Sequence, residues 1–215
     1  MPEDKRLKIV ALISGGGSNL QALIDAQRQG LPIRIVAVVS NRADAPGLER
    51  ARRHGIPAEI LGHGDYSNRH AYDEDLKRLI DRYDPGLVIL AGFMRILTPE
   101  FVTHYHGRML NIHPSLLPKF RGLHTHQRVL DAGETRHGAS VHFVTAELDG
   151  GPVILQAEVP VLPQDDSATL AARVLEQEHL IYPAVVRWFA EGRLEFGEDG
   201  HPWLDGKPME KPCLI

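Results

Sequence analysis

A seven-residue run, Leu7-Lys8-Ile9-Val10-Ala11-Leu12-Ile13, leads directly into Ser14-Gly15-Gly16-Gly17-Ser18-Asn19, and then into Leu20, Leu23, Ile24 and Ala26 at helical spacing. Nothing else in the chain constrains its fold as tightly. The apolar run has the β-branched character of a strand buried on both faces of a parallel sheet. A glycine turn from such a strand into a helix is the first half of a βαβ unit, whose return strand lies beside the first and parallel to it.

The alternation continues. Residues 33–39 read as a second strand, Leu48 to His54 as a helix closed by Gly55, Ala58 to Leu61 as a third strand and Ala71 to Tyr83 as a helix. Leu87 to Leu90 is a fully apolar fourth strand. Thr98 and Pro99 open another helix as N-cap and first helical residue, with His104 and His106 expected on it, and Met109 to Ile112 forms a fifth strand. The second half is less regular. Thr125 to Ala132 is a helix, Ala139 to Thr145 and Pro152 to Val161 extend the sheet, and Ser167 to Ala190 is a long amphipathic helix with an expected bend at Pro183. A Gly-, Asp- and Pro-rich end reads as a hairpin and tail. This order predicts one α/β domain over residues 1–215, Rossmann-like, with a mostly parallel central sheet flanked by helices.

Composition narrows the function. The chain is 43% hydrophobic and 24% charged, with a net charge of −4, the balance of a globular protein without the clustered cationic surface that nucleic acid requires. The longest apolar stretch, Leu87 to Met94, is too short to span a bilayer. The Met-Pro-Glu-Asp-Lys-Arg start has no signal-peptide pattern, and the single cysteine, Cys213, cannot form an internal disulfide. Together these point to a cytoplasmic chain with neither a membrane nor a nucleic-acid partner.

At the glycine turn, free N–H groups and a helix dipole attract an anion. A dinucleotide fits poorly: the third glycine of G-x-G-x-x-G falls on Leu20, and Ser40 and Asn41 stand where a ribose-binding acid belongs. No Gly-Lys-Ser/Thr follows either, so a phosphate monoester is the better ligand. The alternative is a tight turn that binds nothing.

Twelve histidines are present, and seven of them (His104, His106, His113, His124, His126, His137 and His142) fall within residues 104–142. No H-E-x-x-H, paired cysteine or acidic ligand at metal-site spacing accompanies them, so no metal is expected. Asn111-Ile112-His113-Pro114 ends the fifth strand, where ligands of open α/β sheets bind. Asn111 and His113 are two residues apart, and both side chains leave one sheet face. An amide and an imidazole aimed together suit an oxyanion and a proton. They equally suit a loop that is merely tied down. Asp149, before Gly150-Gly151-Pro152, reads as a turn cap unless it meets His113, where a carboxylate would orient the ring and favour its charged form.

Taken together, these segments are recognisable. LISGGGSNLQALID, ADAPGLERAR, LAGFMRIL, LNIHPSLLP, GLHTHQ, HGASVHFVTAELDGGPVILQ and QEHLIYP, spread from Ile9 to about Trp203, closely resemble the folate-dependent glycinamide ribonucleotide (phosphoribosylglycinamide) formyltransferase family of purine biosynthesis. NIHPSLLP and DGGP are common to the wider formyltetrahydrofolate group, while the GSN turn and QEH-x-IYP narrow it. The resemblance implies that Asn111, His113 and Asp149 are the catalytic trio. Gly16, Gly17, Ser18 and Asn19 would hold the ribonucleotide phosphate, and Glu178 would sit near the substrate amine. Arg69, Met94, Arg95, Ile96, Leu97 and Asn111, with Thr145, Ala146, Glu147, Leu148 and Asp149, would contact the co-substrate 10-formyltetrahydrofolate. On this reading residues 1–110 are the phosphate- and nucleotide-binding half, 111–205 the catalytic and folate-binding half, and 206–215 a tail.

The implied reaction is attack of the glycinamide amine on the formyl carbon. Asn111 and a protonated His113 would stabilise the oxyanion, and Asp149 would favour the imidazolium and relay the proton. Neither a metal nor a covalent nucleophile is needed. The implied partners are small molecules, with the chain a monomer or homodimer. Two positions depart from the family: Gly16 replaces a common Asn, which removes a side chain but keeps the N–H groups for phosphate, and Arg121 replaces a frequent Pro, with an expected effect on loop stiffness rather than chemistry. Among related enzymes, methionyl-tRNA formyltransferase adds a C-terminal domain and formyltetrahydrofolate hydrolase a leading one, and 215 residues are expected to leave no room for either. A nucleotide-binding regulatory module without catalysis would tolerate loss of His113.

Overall fold

The structure is a computed structural model that describes residues 4–215; Met1, Pro2 and Glu3, part of the start read above for a signal peptide, lie outside the described residues. Its elements are β1 (Leu7–Ile13), α1 (Ser18–Arg28), β2 (Ile33–Ser40), α2 (Pro46–Arg53), β3 (Ala58–Ile60), α3 (Arg69–Asp81), β4 (Leu87–Leu90), α4 (Pro99–His104), β5 (Met109–His113), α5 (Thr125–Asp131), β6 (Arg136–Phe143), β7 (Val153–Pro160) and α6 (Ser167–Ala190). Short strands follow: β8 (Leu194–Phe196), β9 (Pro202–Leu204), β10 (Lys207–Pro208) and β11 (Cys213–Leu214).

The main sheet has eight strands in the order β11-β7-β6-β5-β4-β1-β2-β3. From β3 to β5 all pairs are parallel, as the βαβ reading requires. β6 then runs antiparallel to both β5 and β7. Chain order reverses direction between β1 and β4, and the carboxyl ends flanking that reversal are where an open sheet leaves a crevice.

Period-two alternation sorts the core. Ile9, Ala11 and Ile13 face one layer with α1, α2, α5 and α6, while Val10 and Leu12 face the other with α3 and α4. All five are fully buried, and burying a Val, Leu or Ile side chain stabilises by about 1.5–3 kcal/mol, so β1 is the anchor of both layers. The long helix α6 is capped by Asp166, whose side chain accepts from the Thr169 N–H while its own N–H donates to Thr169 Oγ1, a full capping box. It buries Leu170, Val174, Ile181, Tyr182, Val185 and Val186 against the sheet. The Tyr182 hydroxyl lies 3.0 Å from the Leu90 carbonyl and 3.1 Å from that of Leu110, which ties the helix to β4 and β5 beneath the crevice.

Several boundaries differ from the sequence reading. α6 keeps the bounds read for it, with Pro183 inside the helix. α4 ends at His104, so His106 lies in the following turn and not on the helix. β6 begins at Arg136 and stops at Phe143, because the chain must turn through the glycines at 150 and 151 before β7. β8, β9 and β10 form a three-stranded antiparallel sheet. The residues read as a tail return to the main sheet: β11 lies parallel to β7, the Ile215 N–H donates to the Gln156 carbonyl at 3.0 Å, and the Glu158 N–H to the Ile215 carbonyl at 3.1 Å. Main-chain pairing that covers an otherwise open strand edge carries little side-chain signature, which is why it was not legible. Among the described residues no helix is long and apolar enough to cross a membrane.

Candidate active site

The glycine turn sits at the carboxyl end of β1. Gly17 occupies the N-cap of α1 in the left-handed region, φ 70°, and no side chain caps the helix. A Cβ on Gly17 would lie 2.8 Å from the Gly47 Cα, so α2 packs on the turn backbone to backbone. A Cβ on Gly16 would meet nothing within 4 Å, so the departure from Asn there removes no packing. The first turn of α1 contains no acidic residue, which leaves its positive end uncompensated.

Asn19 does not point outward with Ser18. It is buried, and its Nδ2 donates to Glu178 Oε2 on α6 at 2.6 Å. Burial pushes the Glu178 carboxyl above the usual range, an effect the Asn19 hydrogen bond partly opposes. Asn19 Oδ1 is buried without a partner.

Across the crevice, β5 presents Asn111 and His113 on one face, as their spacing requires. The antiparallel register with β6 places His142 opposite Asn111 and Ser140 opposite His113. His113 Nε2 donates to the Phe120 carbonyl at 3.0 Å, which leaves Nδ1 facing Asp149 Oδ2 at 3.5 Å. Asp149 adopts a left-handed φ of 47° and accepts from the Gly122 N–H at 2.8 Å, so the turn before Gly150 is locked to the loop after β5. A Cβ on Gly151 would collide with the Phe143 carbonyl; glycine there lets the start of β7 pass close enough to bring Asp149 back over His113.

His142 completes the arrangement. Its Nδ1 donates to the Phe143 carbonyl at 2.8 Å, so its Nε2 is the bare acceptor that receives Asn111 Nδ2 at 3.1 Å. Burial pushes the His142 imidazole down to about 4, against the opposing pulls of the Phe143 carbonyl and Asp149, so the ring is neutral near pH 7. Asn111 therefore has a defined amide orientation, with one N–H spent on His142 and the other still available.

The loop from Pro114 to Phe120 is fixed from beneath. Ser140 Oγ donates to the Ser115 carbonyl at 2.6 Å and accepts from the Leu117 N–H at 3.1 Å. Gln156 Nε2 reaches the Leu117 carbonyl at 2.9 Å.

A narrow cavity of about 80 Å³ opens beside Asn111 and Asp149, lined also by Leu90, Phe93, His142 and Val144. Arg95, Ile96 and Leu97 line it from one side, and Thr145, Ala146, Glu147 and Leu148 from the other. Two of the expected folate-contacting residues are not in its wall: Met94 is exposed, and Arg69 is exposed at the first turn of α3. The Arg95 guanidinium stacks over the Tyr72 ring, 4.7 Å from its centroid. Arg121 pairs with Glu147, and so bridges the same two loops that Asp149 and Gly122 join.

His126 Nδ1 and His137 Nε2 are 3.0 Å apart, and His137 is buried, with burial pushing its pKa down to about 4. His104 pairs with Asp81 at 3.0 Å, and His106 packs edge-on against Phe196. Among the described residues no group of three or more His, Cys, Asp or Glu side chains is placed to hold a metal ion.

Sequence reasoning placed Asn111 and His113 but did not assign His142 its role. The signal was available: Ser140 and His142 are two apart within one strand, and so share a face once β6 is set beside β5.

A glycine turn after β1 and the side chains of Asn111, His113, His142 and Asp149 lie at the carboxyl edge of one sheet. Residues 7–186 match the formyl transferase family, and the chain belongs to it. It is 58% identical over 204 residues to the phosphoribosylglycinamide formyltransferase of Escherichia coli (strain K12), covering 94% of this chain and 96% of that one. It is 47% identical over 205 residues to the enzyme of the same name from Haemophilus influenzae, at 95% and 96% coverage. The solved phosphoribosylglycinamide formyltransferase of Coxiella burnetii superposes with a TM-score of 0.94 at 54% identity, covering 98% of this chain and 99% of that one.

Proposed function

We propose that this enzyme transfers the formyl group of 10-formyltetrahydrofolate to the amine of glycinamide ribonucleotide. The products are formylglycinamide ribonucleotide and tetrahydrofolate, a step of purine biosynthesis. The observation that carries the reading is the convergence of Asn111, His113 and Asp149 at the carboxyl end of β5, with Asp149 Oδ2 3.5 Å from His113 Nδ1. The relatives' name supports the substrate, and the family supports a formyl donor. We further place the enzyme in the cytoplasm, with small molecules as its partners.

The ribonucleotide phosphate rests on the N–H groups of Gly16 to Asn19, and the folate heterocycle enters the slot between residues 95–97 and 145–149. The amine attacks the formyl carbon, and the carbonyl oxygen becomes an oxyanion. Asn111 donates its free amide N–H to it. His113 donates from Nδ1, since its Nε2 proton is held by the Phe120 carbonyl. Asp149 holds the ring in this orientation and accepts the proton as the amine loses it. Collapse of the intermediate expels the folate nitrogen, which takes up the proton. No covalent enzyme intermediate forms.

The test is a spectrophotometric assay of folate product formation from glycinamide ribonucleotide and 10-formyltetrahydrofolate. Product is expected in proportion to enzyme. None at saturating substrates would refute the assignment.

A further inference from the structure

We propose that Arg50 is a positioning residue for the ribonucleotide phosphate, acting through the carbonyl of Gly16 to aim the N–H of Gly17. The inference rests on the reading that the glycine turn holds that phosphate. Helix α2 holds two consecutive carbonyls of the turn: the Gly47 N–H donates to Gly15 O at 3.0 Å, and Arg50 Nε donates to Gly16 O at 2.7 Å. In a trans peptide the carbonyl and the following N–H point in opposite directions, and the single cis bond among the described residues is Leu117–Pro118. With both carbonyls drawn toward α2, the N–H groups of Gly16 and Gly17 are turned away from it. Among the described residues neither has a hydrogen-bond partner. They join the open first turn of α1 as donors for an anion.

The Gly16–Gly17 peptide needs a clamp because of its composition. It is flanked by glycines, which populate positive and negative φ almost equally, so the unit can rotate at little steric cost. Rotation would replace the Gly17 N–H with the Gly16 carbonyl, a negative end facing a dianion. The Arg50 bond opposes that rotation. Arg50 itself is steadied on α2, with Nη1 3.4 Å from Gln21 Oε1 on α1, and the Gly17–Gly47 contact fixes the distance between helix and turn. The side chain acts on the turn from behind.

Isothermal calorimetry separates this role from a general one. Dissociation constants are measured for glycinamide ribonucleotide and for its dephosphorylated riboside on the unmodified chain, on Arg50→Ala and on Arg50→Lys. The unmodified chain is expected to bind the ribonucleotide far more tightly. In Arg50→Ala ribonucleotide binding is expected to weaken about tenfold, the worth of roughly one hydrogen bond to a charged group, while the riboside changes less than about twofold. kcat and the KM for the folate should stay unchanged, and Arg50→Lys, which keeps a donor within reach of Gly16 O, should recover most of the loss. Arg50→Met keeps the aliphatic stem and gives the same selective loss if the alanine variant does not fold. Ribonucleotide affinity unaltered in Arg50→Ala or Arg50→Met, or equal losses for both ligands, would overturn the role of Arg50. Failure of the unmodified chain to distinguish ribonucleotide from riboside would overturn the phosphate reading instead.

Discussion

The two ends of the crevice are built from different material. Beside β1 the open groups are main-chain N–H donors, set by glycine geometry and by contacts from α2. Beside β5 they are side chains, each held by a second group: Asn111 by His142, and His113 by the Phe120 carbonyl with Asp149 opposite. Parallel strands with short turns suffice for the first. The second depends on the antiparallel β6 and β7, which carry His142 and Asp149 back across the sheet edge. A backbone site tolerates exchange of any side chain that fits, whereas a side-chain site is only as good as its partners. Binding and chemistry should therefore fail separately.

The largest separation is expected for His113→Ala. Loss of one oxyanion donor costs about 10²–10³ in rate, so kcat should fall by that factor while the KM for the ribonucleotide stays within about twofold. Asp149→Asn keeps an acceptor for the Gly122 N–H but removes the charge opposite His113; kcat should fall about 10²-fold in steady-state assays. Retention of most activity in either variant would merge the two ends into one binding surface.

Gly17→Val should do the reverse. A β-branched residue at φ 70°, with its Cβ 2.8 Å from the Gly47 Cα, displaces the turn, so KM for the ribonucleotide should rise about tenfold or more. The kcat at saturation should change less than about threefold. An unchanged KM would take the turn out of the site.

The smallest effect is on stability. His137 and His142 titrate near 4 in the fold against an ordinary 6.5, because burial disfavours their charged forms. Between those values the unfolded chain binds more protons than the native one. Stability is thus fully present above about 6.5 and falls as pH drops toward about 4. Urea midpoints measured across this window should decline with acid, and the decline should be shallower in His137→Phe. A flat profile would show that neither ring is held neutral by the fold.

The same division governs what could be read from the chain. The strand, glycines and helix at the β1 end follow one another within about twenty residues, and the structure keeps them as read. Asn111 and His113 were legible for the same reason, since period two within a strand fixes their common face. Asp149 lies far from His113 in sequence, and spacing alone left it a turn cap; the family resemblance supplied its partner. The role of His142 went unread because it depends on the β5–β6 register, a long-range quantity. Arg50 and β11 went unread because each acts on main-chain atoms, which carry no residue-type signal. His126 and His137 meet through the fold of α5 onto β6 and not through any sequence spacing.

The division of labour itself is tested most directly by calorimetric titration of glycinamide ribonucleotide into His113→Ala. The account predicts a dissociation constant within about twofold of the unmodified chain's, in a protein whose kcat has fallen at least a hundredfold. A dissociation constant that weakens in step with kcat would contradict it, since His113 would then be holding the ribonucleotide and not the transition state.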